Sequence, residues 1–231
     1  MNGKVFALLS FLAAVTVWAA PEETSISFVP GWDKSLWQPV RSPRWSHSAE
    51  WKQESDGISN IIPGDPGSKF KKHIPGGDYI SMLFKKQFSG NTRFETTCMF
   101  MERMAPLMVI SPDAPAVYGE HIEAVIYDRG INVWHHFIKK DGRPGWKLMG
   151  FQAFPLEAGK KHKLVVEMRF SRRGNFICVG VNEPTVAFPL PAHWKKTYFA
   201  GITACEGHNK FCDFKVTAVK KDKYVTARLP L

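Results

Sequence analysis

The period of the apolar residues constrains this chain most: along most of its length it is two, not 3.6. From Lys161 to Phe170, Leu164, Val166, Met168 and Phe170 alternate with Lys163, Glu167 and Arg169. Successive side chains of a strand point to opposite faces, so this run has one buried and one wet face. SRRGN then turns the chain toward Phe176, with Gly174 at the tight position of a hairpin. Similar runs, separated by Gly, Pro, Asn and Asp, predict strands at Trp45–Gln53, Gly57–Ile62, Tyr79–Phe88 and Arg93–Glu102. Leu107–Ile110, Glu120–Tyr127, Ile131–Ile138 and Trp146–Phe154 follow, then Lys161–Phe170, Phe176–Val181, Thr185–Phe188, Tyr198–Ala204 and Lys210–Val219. Short strands with a turn signal about every ten residues predict an all-β fold, a two-sheet antiparallel β-sandwich.

Little divides the chain further. No Pro/Ser-rich linker and no internal repeat is present, so residues 20–219 read as one domain and 220–231 as a charged tail. The longest irregular stretch, 63–78 (PGDPGSKFKKHIPGGD), reads as a surface loop or as the rim of a site. At the N-terminus, Lys4 precedes an apolar run from Val5 to Val17 that ends in small residues. This is the pattern of a secretory signal peptide, with cleavage expected after Ala19. The run is shorter than the ~20 residues that span a bilayer, and no other segment is long and apolar enough. A periplasmic or extracellular protein without a transmembrane segment in its mature chain is the expectation.

The formal charge is +10 at pH 7. In an exported protein this suits an acidic polysaccharide or an anionic surface, or serves solubility alone. Lys and Arg are spread along the chain, so nothing points to nucleic acid. The four cysteines allow three disulfide pairings. Cys205 and Cys212, flanking EGHNK, are the pair closest in the chain, while Cys98 and Cys178 lie inside predicted strands. There is no CxxC, and the spacing resembles no zinc site.

Polar residues concentrate in GEHIEAVIYDRGINVWHHF, 119–137. A two-residue turn at Arg129 and Gly130 would set Tyr127 against Asn132, Val125 against Trp134, Glu123 against His136 and His121 against Ile138. One face of the hairpin then carries His121, Glu123, Tyr127, Asn132, Trp134 and His136. The other carries Ile122, Ala124 and Ile126 against Phe137, His135 and Val133, and a one-residue slip would mix the two. An indole that stacks on the C–H face of a sugar, among groups that hydrogen-bond hydroxyls, suits a carbohydrate. The plain alternative is an ordinary Glu123–His136 cross-strand pair on a solvated face. His135, on the apolar side, reads as a satisfied core or edge histidine rather than a functional one. A second polar stretch, GITACEGHNKFCDFKV from Gly201 to Val216, clusters Glu206, His208 and Asn209 in a turn.

Much chemistry is excluded. A retaining glycosidase needs two carboxylates about 5–5.5 Å apart on one face, but Glu120 and Asp128 fall on the side opposite Glu123, which leaves only a partner from another strand, such as Glu95 or Glu206. No GxSxG, HExxH or glycine-rich phosphate loop is present. Two activities survive. A polysaccharide lyase would use Tyr127, His121 or His136 as base, with Asn132 and Arg93 neutralising a uronate. A hydrolase would use His and Glu with or without a metal. Three donors on neighbouring strands are a weak metal signature, so no metal ligand is assigned and the cofactor is left unknown.

Trp51–Gly57 (WKQESDG) and the ending Gly201–Val216 resemble concanavalin A-like, LamG-like jelly rolls. More narrowly, they are similar to exported bacterial relatives of the 3-keto-disaccharide hydrolase family and to a sister family of unknown function associated with plant-polysaccharide use. The resemblance covers roughly residues 25–219. It implies a two-sheet jelly roll whose concave face handles glycans, and it carries over His208 as a catalytic candidate. The chain departs from the family's Gln-Asp-His-Gly turn with Glu206-Gly207-His208-Asn209. The expectation is an exported protein that binds or processes a glycan, as a 3-keto-glycoside hydrolase or a lyase, or else a non-catalytic lectin-like module. The candidate catalytic residues are His121, Glu123, Tyr127, His136 and His208. The candidate binding residues are Asn132, Trp134, Arg93, Glu206 and Asn209.

Overall fold

The computed structural model describes residues 23–45, 49–61, 79–101, 105–205 and 207–219. The expected signal peptide, the 63–78 loop, Glu206 and the C-terminal tail lie outside these. The strands are β1 (Glu23–Ser27), β2 (Trp37–Val40), β3 (Glu50–Glu54), β4 (Gly57–Ile61), β5 (Ile80–Phe84) and β6 (Phe88–Ser89). Next come β7 (Thr92–Phe100), β8 (Pro106–Ser111), β9 (His121–Tyr127), β10 (Gly130–Ile138), β11 (Pro144–Ala153) and β12 (His162–Ser171). The chain ends with β13 (Gly174–Val181), β14 (Val186–Pro189), β15 (Thr197–Ala204), β16 (Asn209–Phe211) and β17 (Asp213–Ala218).

They form two antiparallel sheets, as the alternation predicts. One runs β14-β13-β12-β7-β16-β4-β3, with β17 also on β7 and β1 on β17. The other runs β11-β10-β9-β8-β15-β5-β2, with β6 added on β15. Inward residues of both sheets make one core. Leu164, Val166 and Met168 from β12 meet Ile122, Ala124 and Ile126 from β9 and Met108 and Ile110 from β8. Trp37, Phe84, Phe88, Phe94 and Phe214 interlock at one end, with ring centroids 5.0–6.3 Å apart. Each such large apolar side chain contributes about 1.5–3 kcal/mol on burial.

Strand boundaries differ from the expectation where backbone donors are diverted. The predicted Lys210–Val219 strand breaks at Cys212, whose N–H donates to the Thr97 carbonyl, so β16 and β17 follow one another along β7. Predicted Tyr79–Phe88 divides into β5 and β6, and predicted Trp45–Gln53 starts only at Glu50. The short β1 (ETSIS) and β2 (WQPV, with a proline) carry too little alternation to be read from sequence. All four cysteines are free thiols, so the proximity of Cys205 and Cys212 in the chain does not produce a bond. Among the described residues, no helix is long and apolar enough to cross a membrane.

Candidate functional site

The hairpin turns at Asp128–Arg129, two residues from the expected register. Gly130 opens β10 opposite Tyr127, and Asn132 then faces Val125, Trp134 faces Glu123 and His136 faces His121. The cause lies in the next strand. Gly130 has φ +129°, and a Cβ there would stand 2.0 Å from the Gln152 carbonyl oxygen of β11, so this glycine serves a close strand approach. A shift of two leaves every side chain on its expected face but changes its neighbours. His121, Glu123, Tyr127, Asn132, Trp134 and His136 do share the face turned away from the core.

That face is only partly wet. His121, Glu123 and His136 are all buried, at 1, 5 and 7 % exposure. The segments 41–45 and 112–118 cross over part of it, joined where Arg41 N–H donates to Ala116 and Tyr118 N–H donates to Arg41. Glu123 is the hub. Its Oε1 accepts from the Tyr79 hydroxyl at 3.1 Å and lies 3.2 Å from His121 Nε2, while Oε2 lies 3.0 Å from His136 Nε2. The two imidazoles stack with centroids 4.6 Å apart, and Tyr118 stacks on the other side of His121 at 4.3 Å. A second layer fixes these groups: Ser81 Oγ bonds the Tyr118 hydroxyl at 2.8 Å and Thr203 Oγ1 at 2.6 Å.

The electrostatics follow from burial and these contacts. Burial by itself pushes the Glu123 carboxyl up, but the charge and hydrogen bonds of His136 and His121 prevail and hold it well below the usual carboxylate range. Burial pushes the His121 imidazole down, against the pull of Glu123. Burial, reinforced by the Glu123 charge, drives the Tyr79 phenol far up, and burial raises Tyr118 as well. At neutral pH the centre is an ionised carboxylate receiving N–H and O–H donors, with both phenols protonated. His121, Glu123 and His136 also bring one ligand-type atom each within 4.8 Å of one another.

An apolar rim flanks this centre. Strand β11 sets Trp146 opposite His136, Leu148 opposite Trp134 and Phe151 opposite Asn132, with a bulge between the second and third pairs. All three rim residues are exposed, at 46, 38 and 58 %. The Arg44 guanidinium lies 3.8 Å from the Trp146 ring centroid and 4.3 Å from that of Trp45, a cation sandwiched by two indoles. Arg44, Trp45, Tyr79, Tyr118 and Trp146 were not singled out in the sequence. Trp45, Tyr79 and Trp146 each open a predicted strand, the one signal they carried, whereas Arg44 and Tyr118 carried none.

The remaining candidates scatter. Tyr127 lies on the right face but four residues along β9 from Glu123, about 13 Å at strand rise. Asn132 is half-buried on the same face, beside Phe151. Trp134 is half-buried as well, packed against the cluster of Tyr79, Ala105, Leu107, Val125 and Cys205 rather than freely exposed. Arg93 belongs to the other sheet, where it binds Glu95, Glu167 and Glu183, so it cannot serve a uronate on this face. His208 pairs with Glu54 of β3 at 3.7 Å, and burial pushes its imidazole down. Buried Asn209 is structural: its Nδ2 donates to the Cys205 and Gly207 carbonyls, and its N–H donates to Asn60. His135 is satisfied, on Glu120 at 2.7 Å and against Trp194, and lies in an inner strand of its sheet.

No family model matches the chain, and no curated protein matches it. Solved structures do. The chain is similar to the carbohydrate-binding module CBM66 from Bacillus subtilis, at 13% identity and TM-score 0.55 over 78% of this chain and 94% of that one. It is similar to a Bacillus subtilis protein of unknown function with a galectin-like fold, at 9% identity and TM-score 0.57 over 88% and 98%. It is also similar to a Bacteroides ovatus mixed-linkage glucan GH16 protein in complex with its G4G4G3G product, at 10% identity and TM-score 0.51 over 85% and 99%. At such identities the likeness speaks for the fold alone: the chain folds as a concanavalin A-like jelly-roll sandwich.

Proposed function

We propose that this is an exported carbohydrate-binding protein and that the glycan lies along the outer face of β9, β10 and β11. The observation that carries this reading is the exposed row Trp146, Leu148 and Phe151 beside the polar His136–Glu123 centre. Sugars present an apolar C–H face and a ring of hydroxyls, and the two walls of this groove match those two chemistries. Isolated exposed apolar residues need no explanation, but three neighbours on one edge strand do. The kinship in fold with a carbohydrate-binding module and with a GH16 protein in complex with a glucan product supports the reading. Arg44, exposed against Trp146, is the cation available for a uronate.

A second reading, hydrolysis at His136 with Glu123 behind it, is favoured by the buried ionised carboxylate that orients an imidazole at the edge of the groove. The polysaccharide-lyase reading is weaker. The Tyr79 and Tyr118 phenols are driven away from the acidity a base needs, Tyr127 is far along the strand, and Arg93 is on the other sheet.

The test is a panel of neutral, uronic-acid and 3-keto glycans, scored for binding and for new reducing ends. Trp146→Ala is expected to lose binding at least about 10-fold, the cost of one stacking contact of roughly 1.4 kcal/mol. Turnover that vanishes in His136→Ala would establish the hydrolytic reading, and binding without turnover would leave a lectin-like module. Glycan affinity unchanged in Trp146→Ala and in Phe151→Ala would remove this face from consideration.

A further inference from the structure

We infer that His121, Glu123 and His136 form a binding site for one divalent transition-metal ion, open on the side of the β11 rim. The sequence offered only three donors of uncertain register. The structure stacks His121 directly across from His136 and aims both Nε2 atoms at the two oxygens of one carboxylate.

The imidazole–carboxylate separations approach those of a coordination sphere. Donors about 2.0–2.2 Å from a shared ion, at angles between octahedral and tetrahedral, lie about 2.8–3.6 Å from one another. The two N···O separations, 3.2 and 3.0 Å, fall in this range but run to the two different oxygens of Glu123, and one ligand atom from each residue lies within 4.8 Å of the others, wider than a loaded sphere. An ion enters with small convergent movements of side chains. Two imidazoles and one carboxylate are the donor types of catalytic zinc sites and of the non-haem iron facial triad. Magnesium and calcium prefer all-oxygen shells and are disfavoured. Three protein ligands leave positions for water or a substrate oxygen, and His136, facing Trp146, stands toward the rim.

Charge and the surrounding shell agree. Glu123 is a buried carboxylate, and its only ion-pair partners among the described residues are these two histidines, with no Lys or Arg beside it. A buried anion without a fixed cation is costly, and a metal ion supplies the missing charge. The ligands are already held: Tyr79 donates to Glu123 Oε1, and Tyr118, itself bonded to Ser81, stacks on His121. His121 Nδ1 is buried with no partner. With Nε2–H donated to Glu123 its lone pair is unmet, and with an ion on Nε2 its proton is unmet. Loading therefore leaves one unmet atom at Nδ1 in either state.

The site stands on these three donors and not on the glycan reading. The test takes the mature protein stripped with chelator and adds Zn2+, Mn2+ or Co2+ singly, followed by calorimetry, metal content after gel filtration and the visible spectrum of bound Co2+. One ion per chain is expected, with Kd about 1 μM or tighter for at least one of the three. Glu123→Gln and His136→Ala should each weaken it at least about 100-fold. His136→Asn serves as the milder variant where His136→Ala fails to fold. No binding by the wild type overturns the inference, and so does equal binding by folded variants, which would move the ion to another site such as a cysteine. Because glycan is absent from this assay, metal without glycan binding removes only the glycan proposal, and glycan without metal binding removes only this one.

Discussion

Replacing Glu123 with glutamine tests whether the outer-face centre is built around an ionised carboxylate. The substitution keeps shape and removes charge. Three donors converge on the carboxylate, from Tyr79, His121 and His136 at 3.1, 3.2 and 3.0 Å. Hydrogen bonds to a charged group are worth about 1.5–3 kcal/mol each and neutral ones about 0.5–1.5, so three bonds lose roughly 3–4 kcal/mol. The amide nitrogen also faces His136 Nε2 and forces a change of tautomer. Relief from burying a charge offsets part of this, leaving an expected loss of about 2–4 kcal/mol. For a chain of this size that is a fall in Tm of about 5–15 °C. Chelator-treated wild type and Glu123→Gln would be compared by denaturant titration with matched m-values. The pH dependence has a definite sign. The Glu123 carboxyl is depressed below its ordinary 4.5, so its contribution is full above about pH 4.5 and fades as pH falls through the folded-state value. The gap between the two proteins should therefore be constant at neutral pH and close in acid. A neutral-pH loss below about 0.5 kcal/mol, or a gap that widens in acid, would refute an ionised hub.

Three further outcomes follow from the same geometry. Trp134→Ala should cost about 1–3 kcal/mol of stability, because the ring packs against the cluster that holds Tyr79, Leu107 and Val125, whereas Trp146→Ala should change stability by less than about 0.5 kcal/mol; paired thermal melts decide. Arg93→Ala should destabilise by about 1–3 kcal/mol, since it strands Glu95 while Glu167 keeps only Arg169, yet leave glycan and metal affinities unchanged; a loss of affinity would return Arg93 to the site. In the native protein a thiol reagent should modify half-exposed Cys212 first. Cys98 and Cys178, whose thiols burial pushes up (to about 11 for Cys178), should react only on unfolding, and fewer than four thiols in denaturant would mean a disulfide exists.

What could be read from the sequence is what strand period controls. Alternation placed His121, Glu123, Trp134 and His136 on one face without any knowledge of register, because a shift of two changes partners and not faces. Register itself depended on Gly130, and D-R-G admits two turns until the approach of Gln152 from β11 demands glycine in the strand. Arg93 was chosen for its charge alone, and in a sandwich charge carries no information about which sheet a strand joins. Tyr79 and Tyr118 complete the centre from 44 residues before Glu123 and from the overlying segment, and their pairings belong to topology rather than to local pattern.

The same division bears on chemistry. A sequence with one carboxylate on the outer face of its hairpin looks poor in catalytic groups when judged by the paired-acid requirement of retaining glycosidases. Once the register stacks His121 on His136 across Glu123, that single carboxylate becomes the shared partner of two imidazoles at hydrogen-bonding distance. An ion there would supply the electrophile that a second acid would otherwise provide. The His/Glu hydrolase expected from the sequence, in its metal-free and its metal-dependent form, thus rests on the same three side chains. Metal occupancy, measured before any substrate is known, chooses between them.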